Sequence, residues 1–453
     1  MLFFIDINRV ELNFTFAQTI CMFQKGDKKV IGAWAMYDWA NSVYHLVITS
    51  TIFPIYYSSL FPSSATVSFC GFSFLPLALY NYALAFAFLV IASVSPLLSG
   101  IADYTGNKKA FMRFFCYMGA LACSFMFFFT AANLWLGIAL IITACIGYAG
   151  SIVFYNAYLP EIVKREDQNK VSAKGFSYGY TGSSILLIIN LVMVMKPDLI
   201  GLAGEGAKSF ATRLSFLTVG LWWIGFAQYT FRYLPANPFG QPRRNEGRNI
   251  WKGYQELRKV WNILKETKRL RRFLMAFFVY NTGVRTIMLV ANQFGSDTLK
   301  LKADNLILTI LIIQFVAVGG AYLFSYIAKK KGDIFMLKAA TVIWVTVCVG
   351  AYYTYSAYQF YALAFVVGLV MGGIQALSRS AYSKMLPETE DHASFFSFYD
   401  VCENIGSVLG LFLYGWVYAV THDMRNSIVF LLVVFLMGFI LLYRVPRVKR
   451  VIE

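Results

Sequence analysis

The stretch IVFLLVVFLMGFILLY, residues 428–443, contains no charged side chain. A second stretch, LVITSTIFPIYYSSLF at residues 46–61, is almost as apolar. Both are too long and too apolar for helices of a water-soluble core, whereas a membrane-spanning helix needs about 20 predominantly apolar residues. Because unpaired backbone groups are costly in lipid, a segment of this kind crosses the bilayer as a helix.

Ten further stretches of this kind occur in the 453 residues, of which 58% are hydrophobic and 14% charged. The mean hydropathy of +0.58 is typical of a membrane protein. We predict an all-α membrane protein with twelve transmembrane helices. The predicted spans are 31–60, 78–102, 110–131, 134–158, 175–196, 213–235, 271–296, 304–328, 336–356, 358–386, 395–420 and 427–445.

The basic residues predict the orientation of these spans. Of 40 lysines and arginines, 33 fall in or beside the segments on the side of the N-terminus, six fall in the opposite loops, and Arg285 lies within a span. Cytoplasmic loops carry an excess of such residues, so we expect both termini in the cytoplasm and the chain in a bacterial cytoplasmic membrane. This orientation and contacts with anionic membrane lipids account for the net charge of +17, and no nucleic-acid partner is expected.

One long polar linker divides the spans six and six. We assign residues 31–235 and 271–446 to two six-helix bundles, and residues 236–270 to a basic cytoplasmic linker. Residues 1–30 read as a cytoplasmic or interfacial segment rather than a cleavable signal peptide, and residues 447–453 as a cytoplasmic tail.

The two halves resemble each other in sequence. AMYDWANS at 35–42 corresponds to FVYNTGVR at 278–285, and YNAYLPE at 155–161 corresponds to YSKMLPE. The next inner loops lead into FSYG and FSFY, respectively. Three matches in order indicate a duplicated six-helix unit, the arrangement of major facilitator transporters, in which substrate binds near the midplane between two pseudo-symmetric bundles.

Polar side chains recur at helical spacing inside four predicted spans. Spacings of three, four and seven residues place them on one helix face. Ionisable groups at bilayer depth are costly, so each is a candidate functional residue. The candidates for substrate binding and proton coupling are Asp38, Asn41 and His45 in the first span, Tyr280, Asn281, Arg285 and Asn292 in the seventh, Gln375 and Arg379 in the tenth, and Asp400, Glu403 and Asn404 in the eleventh.

The deepest charged groups are three acids, Asp38, Asp400 and Glu403, and one base, Arg285. One of these acids can pair with the arginine, which leaves the other two without it as a partner. A desolvated carboxyl group without a cation favours its protonated form, so Glu403 or Asp38 is a candidate proton carrier. The alternative interpretation is that these groups form buried hydrogen-bonded pairs that hold the halves together.

The cysteines, histidines and glycines of the sequence allow further predictions. The cysteines are scattered singly and the three histidines are dispersed, so we expect no disulfide framework, no metal site and no cofactor. The glycines of the fifth and eleventh spans predict close helix approach. These glycines are Gly175, Gly179, Gly182, Gly406 and Gly410.

SGIADYTGNKK, residues 99–109, resembles the conserved inner loop between the second and third spans of major facilitators. The residues that match are Asp103, Gly106, Lys108 and Lys109. In that family the acid caps a helix and locks the cytoplasmic gate, so the resemblance implies this role for Asp103. The second half carries SYIAKKKG at 325–332, which keeps Gly332 but has Lys329 in place of an acid, so we expect that copy to be degenerate.

Further strings are similar to one branch, the unknown major facilitator family, related to fungal vacuolar amino-acid effluxers of the autophagy pathway. They are WAMYDWANSVY, FYNAYLPEI, VSAKGFSYGYTGSS, FVYNTGVRTI and GGIQALSRSAYSKMLP followed by FFSFYD. The match runs from the first span through the eleventh, with departures at Thr282, Arg285 and Asn404.

These observations predict a secondary active transporter that moves a small polar or amphipathic solute by alternating access, coupled to protons. The resemblance implies amino acids or short peptides as substrates. Two alternatives remain: an exporter or flippase of a lipid or cell-envelope precursor, and a non-transporting receptor or scaffold. An enzyme is not expected, because no catalytic cluster or phosphate-cradling loop stands at a membrane surface. We expect a monomer in contact with membrane lipids.

Overall fold

The computed structural model describes residues 24–61, 66–69, 71–204, 206–236 and 250–446, and this part of the chain is almost entirely helical. Within it, eleven helices are long and apolar enough to cross a membrane. A further crossing consists of α1 (Lys28–Val43), a π-helical segment (Tyr44–Ile52) and α2 (Phe53–Leu60), which follow one another without a gap. The predicted all-α architecture with twelve apolar spans is therefore confirmed.

The remaining elements follow in chain order. In the first half they are α3 (Pro76–Thr105), α4 (Lys108–Phe125), α5 (Leu134–Ile162), α6 (Gln168–Met195) and α7 (Ala207–Tyr233). A linker helix, α8 (Ile250–Glu266), precedes α9 (Lys268–Asp297), α10 (Ala303–Lys331), α11 (Asp333–Tyr352), α12 (Ala357–Met385), α13 (His392–Thr421) and α14 (Met424–Tyr443). Between α2 and α3, a short antiparallel hairpin pairs β1 (Val67–Phe69) with β2 (Phe72–Phe74), and 3-10 turns occupy Met126–Phe128, Ala131–Asn133 and Pro197–Ile200.

Local sequence explains several helix ends. The Asp27 side chain accepts a hydrogen bond from the Lys29 amide at 2.7 Å and so caps the start of α1. At the end of α3, Gly106 takes a left-handed conformation with φ of 64°, which a glycine adopts without steric cost. A capping box of Ser356 and Gln359 starts α12.

Several helices extend beyond the predicted spans on the side of the linker. The fifth span was predicted from residue 175, but α6 begins at Gln168, and α10 continues to Lys331 beyond the predicted residue 328. An apolar window marks only the part of a helix at lipid depth, whereas backbone hydrogen bonding continues through polar turns outside it. One helix is shorter than its predicted span: α4 ends at Phe125, before the predicted residue 131, and a 3-10 turn follows it.

The predicted linker contains a helix that the sequence reading did not assign. Helix α8 buries Val260 and Leu264, and its Gly253 packs against Gly100 of α3 so closely that a Cβ on either glycine would meet the other helix. From the same helix, the Lys259 ammonium donates to Asp391 at 2.9 Å, just before α13, and this hydrogen bond raises the pKa of Lys259. Helix α8 therefore touches both halves rather than hanging free between them.

The two halves meet through a small set of helices. Helix α6 packs on α10 and α12, and α13 packs on α3 and α5. The predicted close approach at glycines is confirmed: Gly179 faces Ser42 of α1, and Gly410 faces Thr286 of α9. The polar faces of the first, seventh, tenth and eleventh crossings are enclosed by this arrangement.

Candidate functional site

A proline makes the first crossing irregular where it enters the site. Pro54 has no N–H to donate, so the carbonyls that precede it lose their helical partner. The Thr49 carbonyl instead accepts from the Tyr80 hydroxyl at 3.0 Å, and the Ser50 carbonyl accepts from the Asn292 side chain of α9 at 3.3 Å. The residues before the proline form the π-helical segment, a feature that is frequent at functional sites and that carries His45 here.

Asp38 of α1 and Arg379 of α12 form an ion pair between the halves. Guanidinium Nη2 lies 3.3 Å from carboxylate Oδ2, and the side chains are 3% and 7% exposed. The same Oδ2 accepts from the Tyr155 hydroxyl at 2.6 Å. Arg379 also donates to the hydroxyl and the carbonyl of Ser172, each at 3.0 Å, so an arginine of the second half is held almost entirely by the first.

Aromatic rings and one glycine shape the surroundings of this pair. The Arg379 guanidinium lies 4.8 Å from the Trp34 ring and 4.1 Å from the Phe176 ring, within the range of cation–π attraction. Gly175 leaves the space that the pair occupies, because a Cβ there would meet the Asp38 carboxylate and lie 3.0 Å from Arg379. The sequence reading counted Arg285 as the only basic partner and did not pair Arg379.

A second ion pair, Arg285 of α9 with Glu403 of α13, lies within the second half. Its side chains are 21% and 17% exposed, so this pair is more accessible than the first. The arginine Nε lies buried without a hydrogen-bond partner among the described residues. Glu403, which the sequence argument considered as an unpaired proton carrier, therefore has a cation partner, and so does Asp38.

Asp400 is the embedded acid that has no ion-pair partner among the described residues. Its residue is 2% exposed. Oδ1 accepts from the Asn156 amide at a long 3.5 Å, and Oδ2 has no hydrogen-bond partner among the described residues. The Asn156 carbonyl oxygen in turn accepts from Arg379 at 3.4 Å. Asn156 thus connects the unpaired acid of the second half to the ion pair between the halves.

Two cavities share Arg285 and Glu403 in their walls. The first is lined by His45, Asp400 and Asn404 among others. The second is lined mainly by polar residues of both halves. These include Asp38, Ser42, Asn156, Asn281, Gln375, Ser378 and Arg379. Nine of the twelve candidates thus line these two cavities.

The other three candidates lie apart from the cavity walls. Tyr280 is buried, and its hydroxyl lies 2.7 Å from the Ser378 hydroxyl. Asn41 is fully buried and has Ser42 at 3.5 Å. Asn292 makes the contact to the Ser50 carbonyl described above. Tyr280 and Asn292 thus connect helices, whereas the contact of Asn41 is within its own helix.

Sequence reasoning missed several polar residues of the site. Tyr155, Asn156 and Ser172 contact the central charges, and Tyr180 donates to Gln375 across the halves at 2.5 Å. Asn156 lies in the string FYNAYLPEI, which was used as evidence of duplication and of the family resemblance but not as a site. Its signal was an isolated amide at bilayer depth, the same signal that selected Asn281.

The matched inner-loop residues lie at a junction between the halves. The Asp103 carboxylate accepts from the backbone amides of Ala393 at 3.3 Å and Ser394 at 2.7 Å, at the first turn of α13. Lys108 lies 3.3 Å from that carboxylate and also contacts Glu161, which is 3.2 Å from His392. We call Asp103, Lys108, Glu161 and His392 the Asp103 cluster. The other matched lysine, Lys109, donates to the Leu234 carbonyl within the first half.

A second junction lies at the corresponding loop of the second half. Asp333 accepts from Asn169 of α6 at 2.7 Å and from Lys384 of α12 at 3.0 Å, while Lys384 donates to Asn169 at 2.6 Å. We call these three residues the Asp333 cluster. The acid follows Gly332 instead of preceding it, so this copy of the loop, although altered at Lys329, still presents a carboxylate to the opposite half.

The sequence as a whole matches a family of membrane effluxers. A family model described as "Vacuole effluxer Atg22 like" matches residues 26–452. An MFS-type transporter of Bacillus subtilis, YxiO, is 31% identical over 417 residues, which cover 92% of this chain and 94% of the relative. The chain belongs to the Atg22-like family.

Fungal members of the Atg22-like family are more distant. Autophagy-related protein 22 of Kluyveromyces lactis is 26% identical over 394 residues, which cover 79% of this chain and 77% of the relative. The protein of the same name from Yarrowia lipolytica is 23% identical and covers 83% of this chain and 76% of the relative.

Solved structures place the Atg22-like chain in the major facilitator fold. It is similar to the proton:xylose symporter XylE, with a TM-score of 0.68, 12% identity, and coverage of 92% of this chain and 95% of that one. The chain is also similar to the human organic anion transporter MFSD10, with a TM-score of 0.67, 12% identity, and coverage of 92% of this chain and 100% of that one. Because the 31% identical bacterial relative is an MFS-type transporter and the family model matches residues 26–452, the protein is a multi-pass integral membrane transporter of the major facilitator superfamily and not an enzyme.

Proposed function

We propose that the protein moves a small polar solute by alternating access and couples this movement to a proton on Asp400. The observation that carries the proposal is the environment of this acid: it is buried, has no ion-pair partner among the described residues, and is hydrogen-bonded to the opposite half through Asn156. An unpaired buried charge is costly, so of the three central acids Asp400 loses most by being ionised. Protonation there would alter the contact between the halves.

The cavity lining supports a zwitterionic solute of the amino-acid or short-peptide class. Arg285 offers a guanidinium for a carboxylate, and Glu403 and Asp400 offer oxygens for an ammonium group. The pair of Arg285 and Glu403 is partly exposed, so a solute can compete for it more easily than for the buried pair of Asp38 and Arg379. The family description as an effluxer agrees with a transported solute.

The relative from Bacillus subtilis, at 31% identity, supports the bacterial cytoplasmic membrane as the location of this protein. The charged side chains of the central cavities favour a polar solute over a lipid or a cell-envelope precursor. An acyl chain offers no hydrogen bond to the Asp400 Oδ2 and Arg285 Nε atoms, which have no partner in the described part of the chain. Solute binding without counterflow by the wild-type protein would instead support a receptor or scaffold.

The test is transport by purified protein in proteoliposomes. Counterflow with amino acids and dipeptides first identifies a solute, and its accumulation is then driven by an imposed pH gradient. We expect Asp400→Asn to retain counterflow but to lose most gradient-driven accumulation. Asp304→Asn, which changes an exposed acid at the start of α10, should alter neither. Wild-type accumulation by Asp400→Asn would reject proton coupling at this residue.

A further inference from the structure

A basic groove lies at the linker-side end of the second half, away from the central cavities. It lies between the start of α9, the junction of α10 with α11, and the end of α14. Among the described residues that line it, Arg269, Lys331 and Lys338 are basic and Asp333 is the only acid. That acid is already held by Lys384 and Asn169, so the lining presents excess positive charge.

The basic side chains come from different elements and converge on one space. The Arg269 Nε is buried without a hydrogen-bond partner among the described residues. The Lys331 ammonium lies 5.4 Å from the Phe335 ring, and the Lys338 ammonium lies 4.3 Å from the Tyr443 ring. Aromatic rings beside cations are typical of the membrane interface, where each ring has one apolar and one hydrated side.

The groove is continuous with an apolar surface along α14. Val433, Met437 and Ile440 are 47%, 51% and 54% exposed and lie on one helix face that leads to Tyr443, which is 70% exposed. In a membrane-spanning helix an exposed apolar face of this kind contacts acyl chains. A molecule that touched both surfaces would carry a negative head and apolar tails.

We propose that this groove binds the headgroup of an anionic phospholipid, with the phosphate at Arg269, Lys331 and Lys338 and the acyl chains along α14. Positive side chains at a membrane surface attract anionic lipids, and guanidinium and ammonium groups are the usual phosphate partners in proteins. The predicted orientation places the groove at the cytoplasmic leaflet. Because Asp333 lines the groove, the bound headgroup would lie beside the cluster that joins the two halves.

Native mass spectrometry of the full-length protein tests this site with phosphatidylglycerol and phosphatidylcholine as probes. We expect a retained phosphatidylglycerol adduct and a much weaker phosphatidylcholine adduct. Arg269→Gln/Lys338→Gln should weaken phosphatidylglycerol binding by about tenfold or more, since each basic residue near a membrane surface contributes about 1 kcal/mol. Arg258→Gln/Lys265→Gln, which removes the same charge from the exposed face of α8, should leave the adduct unchanged.

Three results would overturn the proposal: equal weakening by both double variants, equal retention of the two lipids, or displacement of the adduct by glycerol phosphate at equal concentration. The first indicates diffuse surface charge and the last a soluble anion. If the groove variant does not fold, as judged by its thermal unfolding, Lys331→Gln replaces it. Lys331 is exposed, and its loss should weaken the same adduct without affecting folding.

Discussion

At the scale of single residues, the centre of this transporter holds three acids and two arginines in a largely apolar protein. Asp38 and Arg379 satisfy each other across the halves, and Arg285 and Glu403 do so within one half. The geometry leaves Asp400 without a cation and connects it through Asn156 to Arg379. The acid with the most unfavourable charge therefore lies one amide away from the ion pair that joins the bundles.

The ion pair of Asp38 and Arg379 can be tested by a double-mutant cycle. Asp38→Asn leaves Arg379 buried without a counter-ion, so we expect the free energy of unfolding to fall by about 3–5 kcal/mol. Arg379→Met should cost a similar amount, whereas the double variant should cost clearly less than the sum. Unfolding in mixed detergent micelles with increasing SDS measures these differences. Strictly additive effects would show that the two side chains do not interact.

At the scale of elements, the first crossing is a helix interrupted by its own proline. Pro54 cannot donate to the preceding turn, and the Ser50 carbonyl, which is left without a helical donor, accepts from Asn292 of the opposite half. A local defect in one helix thus becomes a contact between the halves, on the side of the site away from both clusters. The same element carries His45 into the first cavity.

The contact between Asn292 and the Ser50 carbonyl predicts that a second substitution, at Pro54, restores the stability lost by changing Asn292. Asn292→Leu removes the donor from the partly buried Ser50 carbonyl and should destabilise the local structure by about 1 kcal/mol, the lower end of the cost of an unsatisfied polar group. Amide hydrogen exchange in residues 44–54 should become faster. Pro54→Ala/Asn292→Leu should reverse much of this, because an alanine at position 54 can donate its own N–H within the helix. No rescue would mean that Asn292 stabilises the segment by packing alone.

At the scale of the whole molecule, the halves are joined at the linker-side end by two acid-centred clusters. Asp103 accepts from the first amides of α13, and Asp333 binds Lys384 and Asn169. A carboxylate at a helix N-terminus is favoured by the orphan amides and by the helix dipole. Helix α8 reinforces this end through Lys259 and Asp391. The structure therefore has the halves closed on this side, below the cavities.

Removal of both acids should shift the equilibrium towards opening at this end. Each charge-assisted hydrogen bond contributes about 1.5–3 kcal/mol, so we expect Asp103→Asn/Asp333→Asn to raise the population of the open form by about tenfold or more. Spin labels at the exposed positions 166 and 388 should then report a longer distance by pulsed electron resonance. Asp304→Asn should leave the distance distribution unchanged. An unchanged distribution in the double variant would show that the clusters do not hold the closed form.

The sequence by itself determined the number of apolar spans, the duplication and the family. Span length and composition are local properties set by bilayer thickness, and the repeated strings are read directly along the chain. It also selected nine of the residues that line the two cavities, because a charge such as Asp38 or Glu403 within an apolar helix is visible without coordinates.

Only the tertiary structure decided which charges are paired. Asp38 and Arg379 are 341 positions apart in the chain, so their contact depends on how α1 and α12 meet across the halves. The same packing gave Glu403 its arginine, left Asp400 without one, and brought Asp333 to a lysine that no loop motif indicated. Whether a buried acid has a cation beside it depends on distances between helices, and these distances depend on packing that a linear pattern does not contain.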